Sequence, residues 1–195
     1  MGKALSEMSL EELWELFPII LKEHNPFYKD WYTAEKEAIT KAIGEDCVKR
    51  ISHIGSTAVE GLIAKPTVDI LLEVAPNCDI EQLKAKIIGA GWTLMSFYDY
   101  PDLKMTFNKG YTPEGFAEKV YHLHMRYYGD WNELYFRDYL NAHRDAANEY
   151  GKLKLGLMEQ YKHNRDGYTE AKTEFISKYT QIARYEFGNR YKPVL

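Results

Sequence analysis

Between His53 and Val74 the chain reads as a strand, a Gly55-Ser56 step, a short helical turn, Lys65-Pro66 and a second strand. The second strand, Thr67 to Val74, is nearly all apolar apart from Asp69 and Glu73. A run of that composition and length is expected of a central strand covered on both faces, so it requires a sheet with a layer on each side. Burial makes an ionisable group costly. Asp69 therefore needs a metal, a cluster of donors or a position at the strand end.

The rest of the chain supplies those layers. Ser9-Leu-Glu-Glu12 is a capping-box pattern ahead of Leu13, Trp14, Leu16 and Phe17, and Pro18 breaks or kinks the helix it starts. Phe27 to Ile43 carries a helical pattern closed by Gly44. Strands are predicted over 47–54, 67–74, 92–98, 103–108 and 119–128, with a helix from Asp79 to about Ala90. Asn108-Lys109-Gly110 is predicted to turn the chain, and Pro113-Glu-Gly115 marks a further loop. From Trp131 the pattern is helical, over about 131–143, 144–163 and 169–187, with Asp166-Gly167 as the break. The expected fold class is α+β, a mixed sheet core over about 45–130 flanked by helices, with a helical portion over about 131–190. At 195 residues the chain fits one domain.

Composition narrows the function classes. The net charge of −4 lacks the basic footprint that nucleic-acid binders usually carry. No apolar stretch approaches membrane-spanning length, and no basic segment followed by an apolar run marks a secretory signal. The two cysteines, Cys47 and Cys78, have no metal or redox spacing, so a reduced, cytoplasmic setting is expected. The sixteen tyrosines gather in the second half, where packing between helices is the expectation.

Three groups of residues could carry chemistry. Gly55-Ser56 can present bare backbone N–H groups to an anion, although the same step also starts many ordinary helices. Asp69 follows Ser56 by thirteen positions, a spacing that lets the two meet at one edge of adjacent strands. A carboxylate there could hold a divalent metal against that anion, or simply bond backbone donors or Lys65. Leu71 stands where a second carboxylate would share its face, and Glu73 is about 13 Å along an extended strand. His122-Leu-His124 places two imidazoles about 6.5 Å apart on one strand face, together with Arg126. They could complete a metal site with Asp69, bind phosphate oxygens, or form a polar strand face. His53 could join them if its strand is adjacent. Lys65, Lys104, Arg126 and Arg137 are candidate phosphate-binding cations, each also readable as a solvated charge. Lys172 could point inward or outward from a helix that Thr169 caps. No Ser-His-Asp context, P-loop, Rossmann fingerprint or HExxH motif occurs.

These residues resemble the GrpB family, a group placed in the nucleotidyltransferase superfamily. The resemblance rests on His53-Ile-Gly-Ser-Thr-Ala-Val59, Gly61-Leu62, Ala64-Lys65-Pro66 with Asp69-Ile70, His122-Leu-His124, Phe136-Arg-Asp-Tyr-Leu140 with His143, and Tyr168-Thr-Glu-Ala-Lys172. It covers about residues 51–176. Glu60 stands where the family commonly has proline. The resemblance implies a nucleotidyltransferase-like core in which Gly55 and Ser56 hold nucleotide phosphates and Asp69 is the first metal carboxylate. Leu71 does not match the second. The expectation is a metal-dependent transfer of a nucleotidyl group to an unknown acceptor, with Asp69, His122 and His124 as catalytic and metal-binding residues. Magnesium or manganese would be the metal, or zinc. Gly55, Ser56, Lys65, Arg126 and Arg137 would contact the substrate phosphates. The alternative is a catalytically lapsed module that binds a nucleotide or another phosphorylated small molecule and regulates a partner.

Overall fold

The computed structural model describes residues 3–193. Five strands form one mixed sheet: β1 (Val48–Ile54), β2 (Thr67–Val74), β3 (Thr93–Tyr98), β4 (Lys104–Thr112) and β5 (Gly115–Tyr127), in the spatial order β1-β2-β5-β4-β3. The β2–β5 pair is parallel and every other pair is antiparallel. Among the described residues seven α-helices accompany the sheet: α1 (Leu10–Leu16), α2 (Tyr28–Ile43), α3 (Ile80–Gly89), α4 (Asn132–Ala142), α5 (Arg144–Gln160), α6 (Arg165–Glu170) and α7 (Thr173–Phe187). A mixed sheet flanked by helices, with a helical C-terminal portion, is the architecture expected above. No helix among the described residues is long and apolar enough to cross a membrane.

Strand alternation sorts the side chains into two layers. Val68, Ile70, Leu72 and Val74 of β2 point to one face, with Met105 and Phe107 of β4 and Leu123 and Met125 of β5. They pack against Ile39 and Ile43 of α2 and Leu83 and Ile87 of α3, and this is the main core. Asp69, Leu71 and Glu73 point to the other face. There Leu71 packs on Ile54 and on Leu134 of α4, so helices cover both faces of β2 as its composition required. Glu73 is fully buried, bonded to the Arg50 guanidinium and the Gly129 backbone N–H. The C-terminal helices hold a second core in which Tyr135, Tyr139 and Tyr150 are buried, and Tyr150 stacks on Phe175. Here the tyrosines do pack between helices.

Local chemistry explains most element ends. Ser9 and Glu12 form the expected capping box of α1, and the helix stops at Leu16 ahead of Pro18. Gly44, at φ 91°, closes α2, and the Asp79 side chain caps α3. Two expected boundaries are corrected. Asn108-Lys109-Gly110 does not reverse the chain: β4 continues to Thr112, and the turn lies at Pro113-Glu114. The ladder shifts between Lys109 and Tyr111, and Gly110 at φ 90° leaves room for the Lys119 carbonyl, so its glycine serves a bulge. Thr169 lies inside the short helix α6, not at a cap. The break falls at Ala171-Lys172, and Asn164 caps α6 through the Gly167 N–H.

The cysteine expectation is also corrected. Cys47 and Cys78 form a disulfide across a sequence separation of 31. Antiparallel pairing of β1 with β2 brings the start of one strand beside the end of the other. The Cys47 carbonyl accepts from Ala75 N–H at 3.0 Å, and the two Cα atoms stand 6.0 Å apart.

Candidate functional site

β1 ends at Ile54 beside Asp69, and the chain leaves the sheet through Gly55 at φ 70° and a single 3-10 turn, Ser56–Ala58. Only glycine is accommodated at position 55: a Cβ there would collide with the Asp69 carboxylate, quite apart from its backbone conformation. Parallel pairing sets Asp69 opposite His122, and the two side chains meet on the same face. His122 Nδ1 lies 3.0 Å from Asp69 Oδ1, and His122 Nε2 lies 2.8 Å from the Tyr111 hydroxyl. The Tyr111 hydroxyl also accepts from Arg165 at 3.1 Å.

One proton arrangement satisfies every member of this chain. Arg165 donates to Tyr111, Tyr111 donates to His122 Nε2, and His122 Nδ1–H donates to the Asp69 carboxylate. Burial works to raise the Asp69 pKa, but the imidazoles of His122 and His124 outweigh it and hold the carboxyl well below the usual range. Burial pushes the His122 pKa down, against the pull of Asp69, so its neutral tautomer is the favoured one. Asp69 is thus an ionised acceptor, with its side chain about a quarter exposed (26%) to the cleft.

That cleft, of about 560 Å³, runs over β2, β5 and β4 and is flanked by the C-terminal helices. Four cations converge on it. Lys65 precedes β2, Lys154 comes from α5, Arg165 opens α6, and Lys172 lies between α6 and α7. Lys154 is 2% exposed and donates to Ser56 Oγ at 3.0 Å and to the Ile63 carbonyl. Burial, then the charges of Lys172 and Lys65, push its ammonium down to about 7. Lys65 is lowered to about 8 by burial and then by Arg165, and Lys172 to about 8 by burial and then by Lys65. The buried Tyr168 ring lies beneath the Lys172 and Lys65 ammoniums, at 4.2 and 5.9 Å. Among the described residues none of the four cations has a carboxylate within ion-pair distance.

Not every expected site residue comes here. Gly55, Ser56, Lys65, Asp69 and His122 line the cationic cleft. His124 and Arg126 line a second cleft of about 610 Å³, which also borders Gly55, Ser56 and Asp69. His124 Nε2 stands 3.7 Å from Asp69 Oδ1, while Arg126 lies over the Trp131 ring and 3.4 Å from Glu133. Arg137 reaches neither cleft. It is held by Asp138, Tyr191 and the His53 carbonyl, which ties α4 to β1. His53 points to the opposite sheet face, where its ring stacks on Tyr32 and Nε2 meets Thr57, and burial lowers its pKa to about 4.

The donor set bears on a metal. Of the β2 residues on this face, Asp69 alone offers a carboxylate near the glycine–serine step, because Leu71 is packed in a core and Glu73 is committed to Arg50. Both ring nitrogens of His122 have protein partners. Among the described residues no three His, Cys, Asp or Glu side chains gather in a metal-ligand cluster. An arrangement of two ions bridged by carboxylates does not fit these residues.

Lys154, Arg165 and Tyr111 were not singled out from sequence. For Lys154 a signal exists: Ala147, Tyr150, Gly151 and Lys154 follow the 3–4 spacing of the buried stripe of α5, and a lysine on such a stripe is out of place. For Tyr111 and Arg165 there was none, since they lie on a strand and a helix whose meeting depends on the whole fold.

The sequence model of the family described as GrpB protein matches residues 18–182. The chain is 37% identical over 164 residues to the glutamate-rich protein GrpB of Alkalihalophilus pseudofirmus, covering 82% of this chain and 92% of that protein. It is 35% identical over 156 residues to a UPF0157 protein of Pseudomonas aeruginosa, covering 79% of this chain and 63% of that one. Among solved structures, that of the conserved protein GrpB from Enterococcus faecalis superimposes with a TM-score of 0.75 at 26% identity, covering 86% of this chain and 99% of that one. With a family match over most of its length and relatives at this level of identity, the chain belongs to the GrpB family.

Proposed function

We propose that the protein binds a phosphorylated small molecule of about nucleotide size in the cleft over Asp69. Lys65, Lys154, Arg165 and Lys172 receive the phosphate oxygens, and the Gly55-Ser56 step borders them. The observation that carries this reading is the set of four convergent cations without carboxylate partners, three of them ammoniums that burial and mutual repulsion lower to about 7 or 8. Desolvated cations that outnumber the one largely buried carboxylate of the cleft, Asp69, are costly in the free protein, and a polyanion relieves that cost. The cleft volume of about 560 Å³ is of the size that small-molecule sites take.

Nucleotidyl transfer is the second reading, and the observation that favours it is the ionised Asp69 carboxylate facing the same cleft. A divalent ion at Asp69 would neutralise charge on the ligand's phosphates. The residues of this chain would then bind and orient the phosphates, and the Asp69–His122–Tyr111 chain would hold the carboxylate in place.

A thermal-shift titration separates the two, using inorganic tripolyphosphate and nucleoside triphosphates with and without Mg²⁺ or Mn²⁺. A ligand at 100 times its dissociation constant adds about 2.7 kcal/mol, a rise of about 5–10 °C in Tm for a chain of this size. Binding without metal, weakened in Lys154→Met and kept or strengthened in Asp69→Ala, supports the binding module, because Asp69 repels phosphate when no cation stands between them. A shift that requires the metal and vanishes in Asp69→Ala supports the transferase. No shift with any probe refutes both.

A further inference from the structure

The cationic wall is one part of the cleft. The floor continues from Asp69 on β2 across β5 and β4 to Met95 on β3, three strand spacings of about 4.8 Å. At that distant end the lining changes character. Met95 of β3 is 59% exposed there, and Leu13 and Trp14 of α1, apolar as well, line the same cleft. Thr106 and Asn108 of β4 lie on the floor, with no side-chain hydrogen-bond partner among the described residues. A bare phosphate chain would fill the cationic end and leave this one empty.

We propose that the other half of the ligand is a flat heterocycle laid against Trp14, its polar edge on Thr106 and Asn108, making α1 the specificity-determining element. The inference rests on the phosphate-binding reading of the same cleft and goes beyond it. An indole face and a thioether favour a planar, polarisable ring over a sugar or an aliphatic chain. The hydroxyl and the amide supply both donors and acceptors for a ring edge. α1 is held over the cleft lightly: none of its residues is buried, and His163 beneath it approaches the Trp14 carbonyl at 3.5 Å and Glu15 at 3.4 Å. The family match begins at residue 18, so this helix precedes the matched segment. On this proposal discrimination by α1 lies outside the matched segment, while phosphate binding lies within it.

Calorimetric titration with ATP, UTP and inorganic tripolyphosphate tests the division. The nucleotides are expected to bind about ten-fold tighter than tripolyphosphate, on the scale of base–aromatic stacking. Trp14→Ala should remove that advantage while changing tripolyphosphate affinity less than about two-fold. Met95→Ser, on the sheet and independent of α1 folding, should lower nucleotide affinity by about three-fold with tripolyphosphate again unaffected. Equal affinity of nucleotide and tripolyphosphate for the wild type overturns the inference and leaves the phosphate site standing. So does an advantage that survives both variants but is lost in Phe116→Ala, which lines an adjoining chamber with Phe17, Lys65 and Arg165. Failure of tripolyphosphate itself to bind refutes the phosphate site, and nucleotide binding alone would then have to be explained elsewhere.

Discussion

Replacing Lys154 with methionine tests the electrostatic reasoning directly. The side chain is 2% exposed, and its ammonium falls from an ordinary 10.5 to about 7. At about 1.4 kcal/mol per pH unit, that depression corresponds to about 5 kcal/mol by which the folded state disfavours the charged lysine. The sign follows from proton binding. Between pH 7 and 10.5 the unfolded chain holds this proton and the folded chain does not, so folding stability rises with pH across that window. The contribution is fully present above 10.5 and is lost as pH falls through 7. Between pH 7 and 9 the wild type should gain about 2 kcal/mol from this group, or about 4–8 °C in Tm. Urea denaturation at intervals from pH 6 to 9 measures it. The methionine variant, of similar length and apolar, loses the bonds to Ser56 and Ile63 but should be the more stable protein at pH 6. Its stability should also vary less with pH, since the ammonium that titrates near 7 in the folded chain is gone. Identical pH slopes in the two proteins would refute the argument, and with it the claim that the cleft holds uncompensated charge.

Gly55→Ala should cost about 2–3 kcal/mol, from the left-handed backbone and from displacement of Asp69. The His122 imidazole resonances should move with it, and an unchanged His122 spectrum would count against the close fit. Opening the Cys47–Cys78 bridge should lower stability by about 3–4 kcal/mol for a loop of this length. Melting with and without a phosphine reductant measures the change, and two free thiols in the unreduced protein would contradict the bridge. Glu73→Ala leaves Arg50 without its buried partner and should cost about 3–5 kcal/mol in chemical denaturation, far more than removing the exposed Lys3–Glu12 pair.

The parts of the fold that were legible are those written in local pattern. β2 declared itself because coverage on both faces demands an unbroken apolar run, and α1, α2 and α3 because caps and glycine stops act within one turn. The hairpin between β4 and β5 was misplaced because Gly110 carries turn chemistry while serving a bulge. The Asp69–His122 contact was foreseen only as a shared possibility, since parallel register between segments 53 residues apart leaves no local mark. Arg137 and Lys65 look alike in sequence. The direction of one side chain from α4, toward Asp138 and the His53 carbonyl, removes Arg137 from the cleft. Lys154 does leave a local mark, as the one charged residue on the buried stripe of α5 formed by Ala147, Tyr150 and Gly151.

The parallel pairing of β2 with β5 also dictates when the site comes into being. Asp69 and His122 belong to strands that can join only after β3 and β4 have been made and the chain has closed a long loop, a step whose entropy must be met before any contact repays it. Lys154, Arg165 and Lys172 arrive from farther still along the chain. No fragment ending before β5 can assemble the carboxylate–imidazole pair, and none ending before α6 can gather the cations. A chain cut short before Lys172 therefore lacks the site, and on the phosphate-binding proposal ligand binding would report a sheet and a cationic wall already assembled.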